Sequence, residues 1–300
     1  MKFVYVKKTG ELLKTTFRKW MDRDPFRQGA IIAYYAIFSM PGILVVLIAL
    51  AGYFFGNEAV SGRLHSQIAE VMGKETATQI QSMVVMSMKS KDSFWAALLG
   101  IATIIFGATA VFAQLQKSLN NIWEVEVKTK SSGIWTFVKT RLFSFGLILS
   151  IAFLLLISLV LSSLLSAFAA WIQQFWSESL LVVFQVFNAF FSLLVITILF
   201  AMMFKILPDA KIKWRSVWIG ALFTSILFVI GKTALGLYFG KADPSSGYGA
   251  AGSIILILLW TSYSSMIVFF GAEFTKAYSD YYYGVVIPSE IAVKQTDVKT

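Results

Sequence analysis

Apolar positions along this chain run in six long blocks rather than alternating with polar ones: Gln28–Phe55, Phe94–Gln116, Arg141–Phe168, Ser179–Leu207, Trp214–Phe239 and Tyr248–Ala277. Each is long enough to cross about 30 Å of hydrocarbon as a helix rising about 1.5 Å per residue. The pattern predicts an all-α, polytopic membrane protein, a bundle of six transmembrane helices. Before the first block, Leu13, Phe17 and Trp20 recur at helical spacing beside Lys14, Arg18, Lys19 and Arg23. That predicts an N-terminal amphipathic helix lying on the membrane surface. Asp24-Pro25 reads as an N-cap and the first helical residue, so the first span starts there. Between the first two blocks, residues 56–93 carry two short apolar stripes separated by Gly73-Lys74. They are expected to fold as an external helical hairpin, either a lid over a cavity or a packed cap. The expected organisation is an amphipathic helix over 1–24, a six-span domain over 25–279 and a tail over 280–300.

Charge then orients the bundle. Six spans put both termini on one side, and that side holds twenty of the Lys and Arg residues against five on the other. The bias predicts cytoplasmic termini, with the 56–93 loop outside. A hydrophobic fraction of 57% and a mean hydropathy of +0.72 fit no soluble domain. The net charge of +10 would suggest a polyanion partner in a soluble protein. Here topology and anionic headgroups account for it, so membrane lipids are the expected partners and nucleic acid is not. The chain has no cysteine, which excludes disulfides and thiolate metal sites. Its start, MKFVYVKKTGELLK, has no continuous apolar core, so the first span is expected to serve as the insertion signal.

Catalytic chemistry is sparse. His65 is the sole histidine, and no HExxH, GxSxG or P-loop pattern occurs. Carboxylates are dispersed: Glu124 and Glu126 share a loop, while Asp209, Glu273 and Asp280 stand singly. No catalytic residue, metal or cofactor is expected, and the chain is read as a non-enzyme.

The polar residues inside the apolar blocks carry more information. Lys232 interrupts the fifth block, where it could snorkel to the headgroups, be tied down in the bundle or face a water-filled cavity. Gln185, Asn188 and Ser192 share one face of the fourth span, and the first two lie at the depth of Lys232. Facing one another, these residues would line an outward-reaching cavity that accepts an anion. Pro41 frees a carbonyl near the middle of the first span, either lining a pathway or simply kinking the helix. Near the inner boundary, Glu273 is expected to pair with Lys205 first, or with Arg141 or Arg27, and not with Lys232. Gln116 and Asn120 share a helix face there, which suits interhelical hydrogen bonds. Thr261 to Ser265 form a polar belt in the sixth span. Small-residue pairs at Gly52/Gly56, Gly236/Gly240 and Gly29/Ala33 predict close helix contacts within one chain; they give no indication of a homo-oligomer.

Several of these stretches carry a family resemblance. Tyr34-Tyr35 with Phe38-Ser39 and Pro41, Leu119-Asn120-Asn121-Ile122-Trp123, and Leu207-Pro208 occur in order. Gly231-Lys232 with Tyr238, Tyr248-Gly249-Ala250 and Gly271-Ala272-Glu273 follow. Over about residues 22–282 the chain resembles the BrkB/YihY family of bacterial inner-membrane proteins, once called ribonuclease BN. The resemblance implies a bacterial cytoplasmic membrane and a transporter-like role in envelope physiology and serum resistance. It assigns no substrate or catalytic residue. The resulting expectation is a transporter or flippase-like exporter of an anionic solute or lipid. A non-transporting scaffold or regulator of envelope assembly is the alternative, and an intramembrane enzyme comes third. The ribonuclease reading finds no clustered carboxylates to support it.

Overall fold

The structure, a computed structural model, describes residues 2–38, 62, 65, 77, 78, 81, 110–127, 178–242, 247–248 and 252–295. Its long helical segments are α1 (Lys2–Asp22), α2 (25–38), α3 (110–122), α4 (Glu178–Ile206), α5 (Trp214–Ala242) and α6 (Gly252–Tyr283). Within α4, α5 and α6, Ala189–Ile206, Trp214–Phe239 and Ile254–Tyr283 are long and apolar enough to cross a membrane. These helices start and stop within a few residues of the expected blocks, although α6 runs past 279. Of the predicted hairpin over 56–93 only residues 62, 65, 77, 78 and 81 are described, and the third span, Pro41, Arg141 and the Gly52/Gly56 pair lie outside the described residues.

α5 packs with small and hydroxylated residues inward and most large apolar ones outward. On α5, Val217, Ala221, Thr224 and Ser225 are buried, whereas Trp218, Leu222, Ile226 and Ile230 are exposed. A water-soluble helix would show the reverse. In lipid there is no hydrophobic gain in hiding large side chains, so close backbone approach and hydroxyl contacts decide the inner face. Ser225 and Thr197 accordingly share a hydrogen bond between α5 and α4 at 2.8 Å. The described chain is thus that of a mostly helical membrane protein.

The antiparallel α5–α6 contact is built from two reciprocal glycine–threonine pairs. A Cβ on Gly220 would fall 1.8 Å from Thr275 Oγ1, and one on Gly271 would fall 1.9 Å from Thr224 Oγ1. Each hydroxyl donates back to its own helix, Thr224 to the carbonyl of Gly220 and Thr275 to that of Gly271, both at 2.7 Å. The threonines therefore satisfy themselves and present only bulk to the facing glycine. Gly29 also packs closely, with a Cβ there meeting the Ser262 carbonyl at 2.9 Å. Gly236 does not: among the described residues none comes within 4 Å of a Cβ placed there. Its spacing resembles the others, but it lies near the end of α5, beyond the close α6 approach at Gly231.

The N-terminal helix α1 docks on α6 through one face. Thr16 is fully buried, Trp20 Nε1 donates to the Met266 carbonyl at 3.2 Å, and the Trp20 ring meets Phe270 edge-on at 5.5 Å. Thr16, Trp20 and Arg23 form the face that docks on α6. Leu13, Phe17 and Met21 remain exposed, so Trp20 does not belong to the outward apolar stripe.

One end of the bundle, the base, gathers the N-termini of α2 and α5 and the C-termini of α3, α4 and α6. Its core contains Leu119, Ile122, Trp123, Phe204, Ile212 and Phe269. Two antiparallel pairs of very short strands close it: β1 (Val125–Val127) with β4 (Ala292–Lys294), and β2 (Ala210–Lys211) with β3 (Ile287–Pro288). Val125 opposes Lys294 and Ala210 opposes Pro288. The segment expected as a plain tail therefore crosses the base and straps two connecting loops.

The glycine–threonine pairs are testable. Gly220→Ala or Gly271→Ala should cost about 1–3 kcal/mol, the range for overpacking a filled site. Combining Gly220→Ala with Thr275→Ala should recover part of that loss in detergent thermal melts. Strict additivity would show that the contact is not the cause.

Candidate functional site

Arg23 lies where the chain turns from α1 into α2. Its N–H donates to the Trp20 carbonyl at 3.2 Å, and that of Asp24 donates to Met21 at 3.1 Å, tightening the end of α1. Asp24 then takes a left-handed backbone conformation, φ 56°, which Asp tolerates better than most residues. Buried Pro25 begins α2, and Gln28 N–H returns to the Asp24 carbonyl at 3.2 Å. This turn fixes Arg23 beside the C-terminus of α3.

There the guanidinium serves several acceptors at once. Nη1 donates to the Asn121 carbonyl at 2.6 Å, and Nη2 reaches the Ile122 carbonyl at 3.4 Å and Glu124 Oε1 at 3.2 Å. Those carbonyls are ones a helix C-terminus leaves open, where its dipole is negative. Arg23 Nε also forms an ion pair with Glu273, whose side chain is only 1% exposed. The Glu273 oxygens have no aligned hydrogen bond, so charge carries this pairing. One turn along α6, the buried Lys276 ammonium contacts Glu124 Oε1 at 2.5 Å. Two cations and two carboxylates thus interlock three segments, the end of α1, the end of α3 and α6. Burial opposes ionisation of Glu124, but the Lys276 hydrogen bond and charge, with Arg23 and Lys19, outweigh it and hold its carboxyl below the ordinary value.

A second cluster centres on Asp209, just after α4. Its Oδ2 accepts from Asn120 Nδ2 at 2.7 Å and Gln116 Nε2 at 3.2 Å, and its N–H donates to Asn120 Oδ1 at 2.8 Å. The shared face of Gln116 and Asn120 is therefore turned onto one carboxylate that spacing did not single out. The Asp209 carbonyl accepts from Ser289 N–H at 2.9 Å, which ties in the C-terminal strap. Beside this cluster opens a cavity of about 660 Å³ between α2, α3 and the strap. Among the described residues, Arg27 and Lys117 line it with the carboxylate of Glu126, and Gln28, Gln114 and Gln295 add amides. Ser118 is 3% exposed, and its hydroxyl, like the Gln28 carbonyl oxygen, has no hydrogen-bond partner.

The other anticipated residues divide as follows. Lys205 does not pair with Glu273: its ammonium donates to the Ile212 carbonyl and sits 5.4 Å from the centre of the Trp214 ring. A lysine near the end of α4 reaches the following loop, while Arg23 has the several donors that the buried site requires. Arg27 pairs instead with Asp24 at 3.1 Å. Glu273 and Lys232 are far apart: the Gly220–Thr275 and Thr224–Gly271 register puts Glu273 opposite residue 222. Ten residues of helix, about 15 Å, separate that position from Lys232. Lys232 is part-buried on α5, and Ser192 is exposed on α4. Gln185 and Asn188 fall in α4, but their side chains lie outside the described residues. In the Thr261–Ser265 belt, Ser262 packs on Gly29, Tyr263 on Gly231, and Ser265 bonds back to the Thr261 carbonyl at 2.7 Å.

Comparison with known proteins places this architecture. A family model described as Virulence factor BrkB matches residues 16–289. The chain belongs to the BrkB family. The match starts at Thr16, the buried docking residue of α1, and ends at Ser289 in the strap, so the family unit includes both. A UPF0761 membrane protein of Saccharophagus degradans is 22% identical over 90% of this chain, which spans 60% of that relative's length. A UPF0761 membrane protein of Tolumonas auensis is 24% identical over 88% of the chain and 83% of its own length. YfkH of Bacillus subtilis, named as ribonuclease-like, is 24% identical over 87% of the chain and 92% of its own length. No solved structure matches the chain.

Removing Arg23 strands a buried carboxylate. Arg23→Met should destabilise the protein by about 3–5 kcal/mol, and Arg23→Met with Glu273→Met should melt well above that single variant. Acid should act through Glu124. A depressed folded-state value means its contribution is complete above the ordinary carboxylate range and is lost as pH falls through the folded value. Glu124→Gln should therefore flatten the acid limb of melting temperature against pH. An unchanged slope would remove Glu124 from that role.

Proposed function

We propose that this BrkB-family membrane protein moves an anionic solute or lipid across a bacterial cytoplasmic membrane, as a transporter or flippase-like exporter. In this reading six spans form the bundle, both termini and the base face the cytoplasm, and residues 56–93 form an outer hairpin. The observation that carries it is the 660 Å³ basal cavity, which has the size of a ligand site. Arg27 and Lys117 outnumber Glu126 there, and the surrounding amides and the unpartnered Ser118 hydroxyl supply hydrogen bonds to oxyanions. The cavity would be the inner mouth of the path. Lys232, with Gln185, Asn188 and Ser192, would accept the anion toward the outer face, and Pro41 would loosen the first span between them. No step of this reading needs a catalytic residue, cofactor or nucleic acid.

The scaffold reading keeps one specific support: at the base, paired charges and strapped loops make a rigid floor. Flux of labelled anions and phospholipids in proteoliposomes decides between the two. Wild-type protein should conduct, the Arg27→Gln, Lys117→Gln double variant should lose about tenfold or more, and Lys232→Met should fold and fail to conduct. Absence of wild-type flux across a broad panel would leave the scaffold. Wild-type flux unchanged in the double variant would move the path elsewhere.

A further inference from the structure

Between α1 and the C-terminal end of α6 lies a separate cavity of about 500 Å³. On the α1 side, Glu11, Thr15 and Lys19 are spaced four apart and so share a helix face. On the α6 side, Tyr278, Asp280, Tyr281 and Tyr282 line it. Glu11, Lys19 and Asp280 form no ion pair among the described residues, and the buried Asp280 Oδ1 accepts no hydrogen bond. Leaving a buried carboxylate oxygen without a donor is unfavourable, and native structures rarely do so without a reason.

We infer that this cavity binds the headgroup of a zwitterionic, ammonium-bearing phospholipid. Three features select that chemistry. Among the described residues, two carboxylates against one ammonium make the lining net negative, which disfavours an anionic lipid while leaving Lys19 to meet a phosphate. Tyr278 and Tyr282 have ring centres 4.5 Å apart, and Tyr281 and Tyr282 4.8 Å apart. Such a ring cluster beside carboxylates attracts a cation to its π faces. The ligand's N–H groups would also satisfy Asp280 Oδ1. Depth supplies the third: the tyrosines end the apolar span of α6, where aromatic side chains mark the headgroup level. Below the charges, Leu12 and Phe274 give the cavity an apolar side for the start of an acyl chain.

The site is independent of any transport through the basal cavity. The full chain is reconstituted in vesicles of equal phosphatidylethanolamine and phosphatidylglycerol, extracted in mild detergent, and its retained lipid measured by mass spectrometry. Phosphatidylethanolamine should be enriched about fivefold or more over the vesicle ratio. Asp280→Asn should return the ratio toward bulk without lowering the melting temperature, and Lys19→Gln should return it as well. Excess soluble phosphoethanolamine should not displace the lipid, because it lacks the acyl contact. A bulk ratio or phosphatidylglycerol enrichment in the wild type, or enrichment untouched by both substitutions, overturns the site. Displacement by the soluble headgroup overturns its assignment to lipid.

Discussion

A carboxylate at 1% exposure has to be answered, and Glu273 organises the base of this protein for that reason. An uncompensated buried charge costs several kcal/mol, more than most single contacts return. Arg23 answers it and thereby fixes its own backbone. Because Arg23 closes α1, that helix must dock on α6, and the left-handed turn at Asp24 must follow at once. The remaining guanidinium donors take up carbonyls that the end of α3 leaves open. Lys276, three residues beyond Glu273, then holds Glu124 from the other side. Alternating charges distribute one buried pair's requirement over α1, α3 and α6.

Along the α5–α6 contact a different rule applies. The Gly220–Thr275 and Gly271–Thr224 contacts bring α5 and α6 together through backbone proximity, with each hydroxyl satisfied within its own helix. No charge is spent there, and large side chains go to the outside. At the base, loop backbone cannot satisfy itself as a helix does, so its amides and carbonyls need partners. The strands of the strap provide them, and Asp209 provides more through Asn120, Gln116 and Ser289.

How far the sequence disclosed this depends on the length scale of each signal. The boundaries of α4, α5 and α6 follow from apolar blocks of twenty or more residues, and the start of α2 from Asp24-Pro25. Gly29 announced its contact by spacing, whereas Gly236 has the same spacing and no neighbour among the described residues. Spacing therefore marks where helices can meet, and the helix path decides whether they do. Depth counted along the spans points Glu273 to Lys205, Arg141 or Arg27, because residues 1–24 then form a separate surface layer. Docking of α1 removes that separation. Its clue was Thr16, a small hydroxylated residue in line with Trp20 and Arg23, as expected of an inward face in lipid. Strands of two or three residues fall below any periodicity, so the strap had no comparable signal.

Glu124 joins the charge cluster to the cavity wall. Its φ of 55° is a conformation better suited to Gly or Asn, and a larger residue held there costs about 1–2 kcal/mol. A glycine would relieve the backbone but leave Arg23 and Lys276 without their shared carboxylate, so the charge requirement outweighs the backbone preference at this position. Its carbonyl accepts from Gln295 N–H at 3.0 Å, and the next three residues form β1 against β4. Val125, Glu126, Val127 and Gln295 in turn line the 660 Å³ cavity. The strained residue that the buried charges hold in place is therefore the residue from which one wall of the cavity begins. Any movement of Arg23 or Lys276 relative to α3 has to pass through that wall.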